Sequence, residues 1–498
     1  MSSHSESFDP LESTVADVHA AMDAGDLTAE GLLDRYLDRV DAYDDELNAV
    51  LTVNDDARGR ARSLDERLET EGFVGPLHGV PVLVKDNTDV EGLATTAGSV
   101  PMADSMPGRD ATIVANLRAA GAVVLGKTNL QELSFGVDTI SSLGGPTRNP
   151  YDRDRRPSGS SGGTAAAVAA NLGLVGTGTD TCSSVRSPPA FNCLVGVRPT
   201  RGLASRTGIV PLSDTQDVPG PIARTVDDAA RVLDAMVGFD PEDPVTARGV
   251  GRVPDAGYAG HVDPAGLSGA RIGVVREAFA PRDDDRAAAA REVTAVVDDA
   301  VEAMDAAGAT VVDPVEAVDR AKLLEARVLR YEFRRDFEAY LDEIDAPAVD
   351  SLSAVVESGE MAPSVERRVR DSGALAVDPD AVADDPEYNR RLALRERLRE
   401  RVLATLADDA LDAVVYPPST VPPVEIPDNQ PFPEMRCELS AHTGLPAVVV
   451  PAGFTDDGLP VGVEFLGSAF EEGRLLELAA GFEAATDHRR PPAGFGPL

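Results

Sequence analysis

The feature that most constrains this chain is a pair of serine-bearing loops, rich in small residues, that flank one short apolar segment. The first loop, residues 158–163, reads SGSSGG and precedes the helix-like run TAAAVAANLG. The second loop, residues 180–184, reads DTCSS and follows the strand-like run LGLVGTG. A helix that begins after the first loop points its free backbone N–H groups and the positive end of its dipole at that loop. We therefore expect the two loops to lie close enough to act together.

Apolar and amphipathic runs alternate on both sides of this segment, a pattern typical of an α/β fold. The run PVLV at residues 81–84 predicts a short buried strand, as do three C-terminal runs, DAVVYP, LPAVVVPAG and PVGVEFLG. Helical periodicity covers most of residues 1–70 and dominates residues 239–411. We expect two long, charge-rich stretches of that middle region to form a solvated outer layer of helices. Strands near both ends of the chain predict one sheet built from N- and C-terminal segments.

The charge of the chain disfavours several classes of ligand and location. A formal net charge of −39 would repel nucleic-acid backbones and anionic membranes over most of the surface. No apolar run is long enough to span a bilayer, and the N-terminus lacks the basic and apolar regions of a secretory signal. We therefore expect a cytoplasmic protein that neither binds nucleic acid directly nor enters a membrane.

Lysine is unusually scarce in this chain, because arginine supplies nearly all of the positive charge. Only three lysines occur, Lys85, Lys127 and Lys322. An acidic surface with few lysines resembles the proteins of extreme halophiles, whose carboxylates keep them hydrated in concentrated salt. The alternative is an acidic protein encoded by a GC-rich genome.

The common metal and phosphate motifs do not occur in the sequence. There is no GxxxxGK[ST] loop, no HExxH motif and no cluster of cysteine and histidine pairs, so we expect neither a metal nor a cofactor. The cysteines are too few and too scattered for a disulfide framework, and we expect reduced thiols at Cys182, Cys193 and Cys437.

A serine nucleophile in this chain would need a base other than histidine. The six histidines are isolated from one another, and the GxSxG match at residues 159–163 lacks the apolar strand that leads into a nucleophile elbow. A buried lysine can act as the base, because burial lowers its pKa toward neutrality. Lys85 follows the run PVLV and Lys127 stands in the run VLGKTN, each at the end of an expected strand. The residues alone do not separate these two lysines.

Together the motifs resemble those of the amidase signature family. The serine loop at 158–163, the segment GTDTCSSVR at 178–186 and the motif GVPVLVKDN at 79–87 match its three characteristic motifs. Further matches are GKTNLQE, GPTRNP, VGVRPTRG, QDVPGPIARTVDDAA, GLPAVVVPAGF and GLPVGVEFLG. The likeness covers residues 75–225 and 412–467.

This resemblance implies an α/β fold with a large mixed β-sheet covered by α-helices on both faces. We expect residues 1–70 to form an N-terminal helical segment packed on the core. Residues 71–498 would form the amidase signature domain, in one compact domain with that segment. Its motif-bearing core comprises residues 75–225 and 412–467, and residues 239–411 form its helical middle.

The resemblance also assigns roles to individual residues. Ser184 would be the nucleophile that attacks an amide carbonyl and forms an acyl-enzyme. Ser160 would relay the proton to a neutral Lys85, in a Ser-Ser-Lys variant of the catalytic triad. The Gly159–Ser160 peptide bond is cis in the family, and Lys127 has no role. The oxyanion hole would consist of the backbone N–H groups of Thr181, Cys182, Ser183 and Ser184.

The chain departs from the family pattern in the loop at residues 181–184, which we call the oxyanion loop. Cys182 and Ser183 stand where the family usually has two glycines, and Ser158 replaces a glycine of the first loop. Side chains at a tight turn restrict its backbone or narrow the adjoining pocket. The sequence leaves open how these residues affect the oxyanion hole and the size of the acyl group.

The function implied is hydrolysis of a carboxylic amide to an acid and ammonia or an amine, at carbon–nitrogen bonds other than peptide bonds. The substrate would be a small-molecule amide, and no cofactor would be needed. One alternative is the glutaminase subunit of a tRNA-dependent amidotransferase, which would pass ammonia to a partner subunit that handles tRNA. A second alternative is a catalytically inactive binding scaffold. The particular amide and the oligomeric state, a homodimer included, are left open.

Overall fold

The fold is built around one eleven-stranded sheet, in a computed structural model that describes residues 8–498. The strands in chain order are β1 (Val50–Val53), β2 (Pro81–Lys85), β3 (Val123–Thr128), β4 (Ile140–Ser141), β5 (Gly145–Pro146), β6 (Val175–Asp180), β7 (Val195–Arg198), β8 (Val218–Ala223), β9 (Arg271–Val274), β10 (Thr310–Val312), β11 (Ala413–Tyr416), β12 (Ala447–Phe454) and β13 (Pro460–Leu466). The order across the sheet is β1-β3-β2-β6-β8-β7-β12-β13-β11-β9-β10, and β4 pairs with β5 separately. N-terminal strands form one side of the sheet and C-terminal strands most of the other.

Helices pack around this sheet and fill the connections between its strands. They are α1 (Val15–Asp23), α2 (Ala29–Leu47), α3 (Ala57–Glu71), α4 (Thr112–Ala119), α5 (Gly162–Ala169), α6 (Ser187–Phe191), α7 (Val226–Met236), α8 (Ala287–Ala306), α9 (Arg320–Glu325), α10 (Leu329–Glu343), α11 (Leu352–Glu357), α12 (Pro363–Ser372), α13 (Pro386–Asp408), α14 (Glu438–Thr443) and α15 (Glu472–Thr486). Of the helices in residues 8–498, none is both long and apolar enough to cross a membrane.

The sheet is mixed and is covered on both faces, as the resemblance implied. Strand β2 runs parallel to β3 and β6, whereas β6 and β7 run antiparallel to β8. Every residue of β2, β6 and β7 is buried. Because successive side chains of a strand point to opposite faces, a strand buried at every residue has both faces covered.

The N-terminal region contains a strand where the sequence predicted only helices. Residues 50–53, VLTV, form β1 at the edge of the sheet, antiparallel to β3. Two valines and a threonine in four residues favour a strand, because β-branched side chains pack well on a pleated surface. The helices α1, α2 and α3 occupy much of the rest of residues 8–70.

The prediction of a solvated outer layer is wrong for α10. Phe333 and Phe337 of this helix are fully buried, and so is the charged residue Glu332. The Glu332 carboxylate accepts hydrogen bonds from the hydroxyls of Thr215 and Tyr388 at 2.9 and 2.7 Å. A charged side chain can be buried when it is hydrogen-bonded in this way. Helix α10 therefore buries one face, which borders the site described below, and exposes the other to solvent.

Two neighbouring parallel strands bring the sequence motifs together. Strand β2 ends at Lys85 and β6 ends at Asp180, so both motifs emerge at the same edge of the sheet. Helix α5 begins at Gly162, within the first serine loop, and packs against both strands. The lysine motif and the two serine loops thus meet at one end of the β2–β6 pair.

Candidate active site

Lys85 lies at the carboxyl end of β2 with its amino group fully buried. Its Nζ lies 2.7 Å from Ser160 Oγ and 2.8 Å from Thr179 Oγ1. Burial lowers the pKa of Lys85 to about 7, although the nearby Asp217 and Asp180 carboxylates act in the opposite direction. The neutral amine, which can accept a proton, is therefore accessible near neutral pH.

The two serine loops meet at Ser160 and Ser184. The backbone N–H of Ser160 donates to Ser184 Oγ at 2.8 Å, and the Gly159–Ser160 peptide bond is cis. Both serines are buried, with 1% and 6% exposure. In the described part of the chain the two hydroxyls are not hydrogen-bonded to each other. The structure thus brings Lys85, Ser160 and Ser184 together in that order.

The loop before Ser184 presents backbone donors that have no protein acceptor. The N–H groups of residues 181–184 donate to no acceptor within residues 8–498, whereas the next N–H, of Val185, donates to Asp180 Oδ2 at 3.1 Å. Buried backbone donors are nearly always hydrogen-bonded in proteins. Four successive free donors beside a serine hydroxyl form a group suited to stabilising a developing oxyanion.

A buried network of ion pairs lies next to this loop and contacts it. Arg186 and Arg198 both form ion pairs with Asp180, and Arg186 also pairs with Glu464 at 2.6 Å. All four side chains are fully buried. Burial opposes ionisation of Asp180, but Arg186 and Arg198 outweigh it and hold the pKa of Asp180 below its usual value. The carboxylate therefore stays charged and anchors the turn through the Val185 N–H.

Two of the residues that depart from the family pattern are linked by hydrogen bonds through a third serine. Ser158 Oγ donates to Ser187 Oγ at 3.0 Å, and Ser187 Oγ lies 3.1 Å from the Ser183 carbonyl oxygen and 3.0 Å from Ser183 Oγ. The chain Ser158–Ser187–Ser183 joins the two serine loops. The serines therefore have bonding partners that glycines could not have.

The third departure, Cys182, forms a disulfide with Cys437, with their Cα atoms 4.9 Å apart. The expectation of reduced thiols is wrong for these two cysteines and holds only for Cys193, which is free and buried. The two cysteines are 255 residues apart in sequence, so nothing in their spacing indicated the bond. Cys182 packs in a small apolar cluster with Val137 and Phe191.

The structure separates the two candidate lysines. Lys127 is also buried, but its Nζ forms an ion pair with Asp86 at 2.9 Å and donates to the Ala94 carbonyl oxygen at 3.0 Å. In the β2–β3 register Lys127 is paired with Val84, not with Lys85. Paired residues point to the same face and neighbours along a strand point to opposite faces, so the two lysines lie on opposite faces of the sheet.

A cavity of about 220 Å³ adjoins the lysine cluster through Thr179, although Lys85, Ser160 and Ser184 do not line it. Two of its lining residues contact the lysine cluster: Thr179 Oγ1 accepts from Lys85 Nζ and also from Asn87 Nδ2, at 3.0 Å. Sequence reasoning gave Thr179 and Asn87 no role, although both lie inside the quoted motifs GTDT and VKDN. The cavity wall also includes Thr181, Asp217, Arg206 and Tyr340.

Comparison with known proteins gives close relatives over nearly the whole chain. The Amidase family model matches residues 31–476. A probable amidase of Arabidopsis thaliana, At4g34880, is 34% identical over 98% of this chain and 93% of its own length. A glutamyl-tRNA(Gln) amidotransferase subunit of Halorhodospira halophila is also 34% identical, over 97% of this chain and 99% of its own.

A solved structure extends the likeness to three dimensions. The native peptide amidase of Stenotrophomonas maltophilia superposes with a TM-score of 0.86 and 38% sequence identity. The match covers 97% of this chain and 98% of that one. The fold and the motif resemblance are thereby confirmed, and the chain belongs to the amidase signature family.

Proposed function

We propose that this protein is an amidase that hydrolyses a carboxylic amide through Lys85, Ser160 and Ser184. The observation that carries the proposal is the 2.7 Å contact between Lys85 Nζ and Ser160 Oγ in a fully buried site. Ser160 in turn contacts Ser184 Oγ through its backbone N–H. A base, a relay and a nucleophile stand in sequence, without histidine.

Ser184 Oγ attacks the amide carbonyl carbon, and its proton passes through the Ser160 hydroxyl to the neutral Lys85 amine. The new C–O bond gives a tetrahedral oxyanion, whose collapse breaks the C–N bond while the proton returns to the leaving nitrogen. Water then hydrolyses the acyl-enzyme by the same relay and releases the acid. The relay needs the Ser160 hydroxyl to swing toward Ser184, a contact that often tightens only with substrate bound.

The backbone N–H groups of residues 181–184 would stabilise the oxyanion. They are free of protein acceptors, which supports this role. Each donor of this kind typically contributes about 3 to 4 kcal/mol to transition-state stabilisation. Neither the Cys182 nor the Ser183 side chain accepts a hydrogen bond from these N–H groups. Cys182 is bonded to Cys437 in a disulfide, and Ser183 Oγ accepts a hydrogen bond from Ser187 Oγ.

The substrate class that we propose is a small amide outside the peptide backbone. The cavity of about 220 Å³, whose wall includes Thr181 of the oxyanion loop and the Lys85 contact Thr179, has room for a small group. The peptide amidase relative makes peptide-derived amides the first compounds to compare with simple aliphatic and aromatic amides. Ammonia release from such a panel, measured in low and in high salt, would rank the substrates.

The glutaminase subunit of a tRNA-dependent amidotransferase is the second candidate, and the amidotransferase relative favours it. In that case the protein would hydrolyse glutamine efficiently only when a tRNA-binding partner is present. We favour a stand-alone amidase. Pull-down of a stable tRNA-binding partner, together with glutamine as the preferred substrate, would reverse this choice.

The experiment that tests the proposal is a comparison of wild-type protein with Ser184→Ala and Lys85→Ala. We expect amide hydrolysis in the wild type and none in Ser184→Ala, with little activity in Lys85→Ala at neutral pH. A wild type that hydrolyses no amide and reacts with no serine-directed probe would support the inactive scaffold instead.

A further inference from the structure

The Cys182–Cys437 disulfide joins the oxyanion loop to a distant part of the chain. Cys182 stands two residues before Ser184, and Cys437 directly precedes α14. The Cys437 half is buried, and its carbonyl oxygen accepts from Arg186 Nη2 at 3.3 Å. Cys437 therefore belongs to a segment that already contacts a residue just after the loop.

A loop that forms an oxyanion hole must hold its backbone N–H groups in fixed positions. Its N–H groups must stay unpaired to bind the substrate oxygen, so the loop cannot be held by backbone hydrogen bonds from those groups. Residues 181–184 meet this condition, because their N–H groups have no acceptor in the described part of the chain. Their positions must then be fixed through side chains and carbonyl oxygens.

The contacts of the loop supply such anchors on both sides of Cys182. Before it, Thr181 Oγ1 donates to Asp217 at 2.5 Å, and the Thr181 carbonyl oxygen accepts from Gln216 Nε2 at 2.8 Å. After it, Ser187 Oγ donates to the Ser183 carbonyl oxygen. The anchor of Cys182 itself is the covalent bond to Cys437.

We propose that Cys182 and Cys437 are positioning residues, whose disulfide holds the N–H groups of the loop in the geometry that binds the tetrahedral oxyanion. This inference rests on the proposed function, in which Ser184 is the nucleophile. The donors interact more strongly with the oxyanion than with the ground-state carbonyl, so their placement governs kcat more than KM. The disulfide thereby acts on the chemical step by placing backbone donors, and its sulfur atoms take no part in the reaction.

A purely structural disulfide would give a different result. A crosslink between distant residues stabilises the fold by restricting the unfolded chain, whatever its place in the molecule. Loss of such a bond would lower the melting temperature and leave kcat per folded molecule unchanged. The separate effects on kcat and KM in folded protein therefore distinguish positioning from simple stabilisation.

The test compares Cys182→Ser and Cys437→Ser with Cys193→Ser, which changes the free thiol and serves as the matched control. We expect kcat to fall about 10- to 100-fold in the first two variants, because small misplacements of catalytic groups cost this much. KM should change less than about twofold. Cys193→Ser should match the wild type. Unchanged kcat in both disulfide variants would overturn the proposal.

Reduction of the wild-type protein gives a second test that needs no variant. A dithiol reductant transfers two electrons and two protons to the bond, leaving two cysteine thiols and the oxidised reductant. Denatured, unreduced protein should contain one free thiol and reduced protein three. Activity of folded protein should fall on reduction and return on reoxidation. Three thiols in the fully active, unreduced enzyme would overturn the proposal.

Labelling with a fluorophosphonate separates failure of the positioning role from failure of the proposed function. If Ser184 is the nucleophile, a fluorophosphonate should still label it in Cys437→Ser, at a lower rate than in the wild type. Absence of labelling in the wild type would refute the nucleophile, whereas labelling of both proteins at equal rates would refute only the positioning role.

Discussion

Lys85 Nζ lies 2.7 Å from Ser160 Oγ, and neither side chain is more than 1% exposed. Burial keeps this lysine from water and so disfavours its charged form, which lowers its pKa to about 7. The same geometry makes it a base for the serine next to it. The activity of the protein should therefore depend on this buried pair.

Lys85→Met should abolish most of the activity without unfolding the protein. Methionine has nearly the same length and no amine, so the relay loses its proton acceptor while the pocket stays filled. We expect kcat to fall about 10³-fold or more at neutral pH. Steady-state kinetics with a melting curve checks this, and a variant that keeps wild-type turnover would remove Lys85 from the mechanism.

Lys127→Met should lower the stability of the fold rather than act through the proton relay, because Lys127 pairs with Asp86 in the core. Removal of the cation leaves the Asp86 carboxylate buried without its partner, which costs about 3 to 5 kcal/mol of stability. Denaturant unfolding measures this loss. An equal loss of stability in Lys85→Met and Lys127→Met would contradict the different roles assigned to the two lysines.

The activity should rise with pH through neutrality. Lys85 acts as a base only when it is neutral, and its pKa is lowered to about 7. The value of kcat/KM should therefore increase from about pH 6 to about pH 8 and then level off. A pH–rate profile on one amide substrate checks the sign, and activity that falls over this range would contradict the assignment of the base.

Ser187→Ala should weaken the link between the two serine loops. The Ser187 hydroxyl accepts from Ser158 and donates to Ser183, and its removal leaves the buried Ser158 hydroxyl without that acceptor. An unsatisfied buried polar group costs about 1 to 3 kcal/mol. Chemical denaturation of the variant and the wild type measures the difference, and equal stability would show that the chain of hydroxyls contributes nothing.

Much of the sheet could be predicted from the sequence, because its strands are short apolar runs bounded by glycine and proline. The strand at 81–84 and the three C-terminal strands appear close to where their sequences placed them. The order of strands across the sheet is set by tertiary packing and left no local signal. The edge strand Val50–Val53 was missed because helical sequence surrounds it.

The site could be predicted through its motifs, but two of its features could not. Lys85 and Lys127 looked alike because each ends a strand, and only the β2–β3 register sends them to opposite faces. The Cys182–Cys437 bond joins residues 255 positions apart, and sequence spacing carries no information about such a contact. Both features depend on contacts between segments that are far apart in the chain. A single sequence carries no readable signal of such contacts.

The most direct test of the proposed mechanism is the identity of the residue that becomes acylated. The intact protein should be treated with a fluorophosphonate and digested, and the modified peptide identified by mass spectrometry. We expect one adduct, on Ser184, that is absent in Ser184→Ala and forms much more slowly in Lys85→Met. An adduct on a different serine, or equal labelling of Ser184→Ala, would contradict the mechanism.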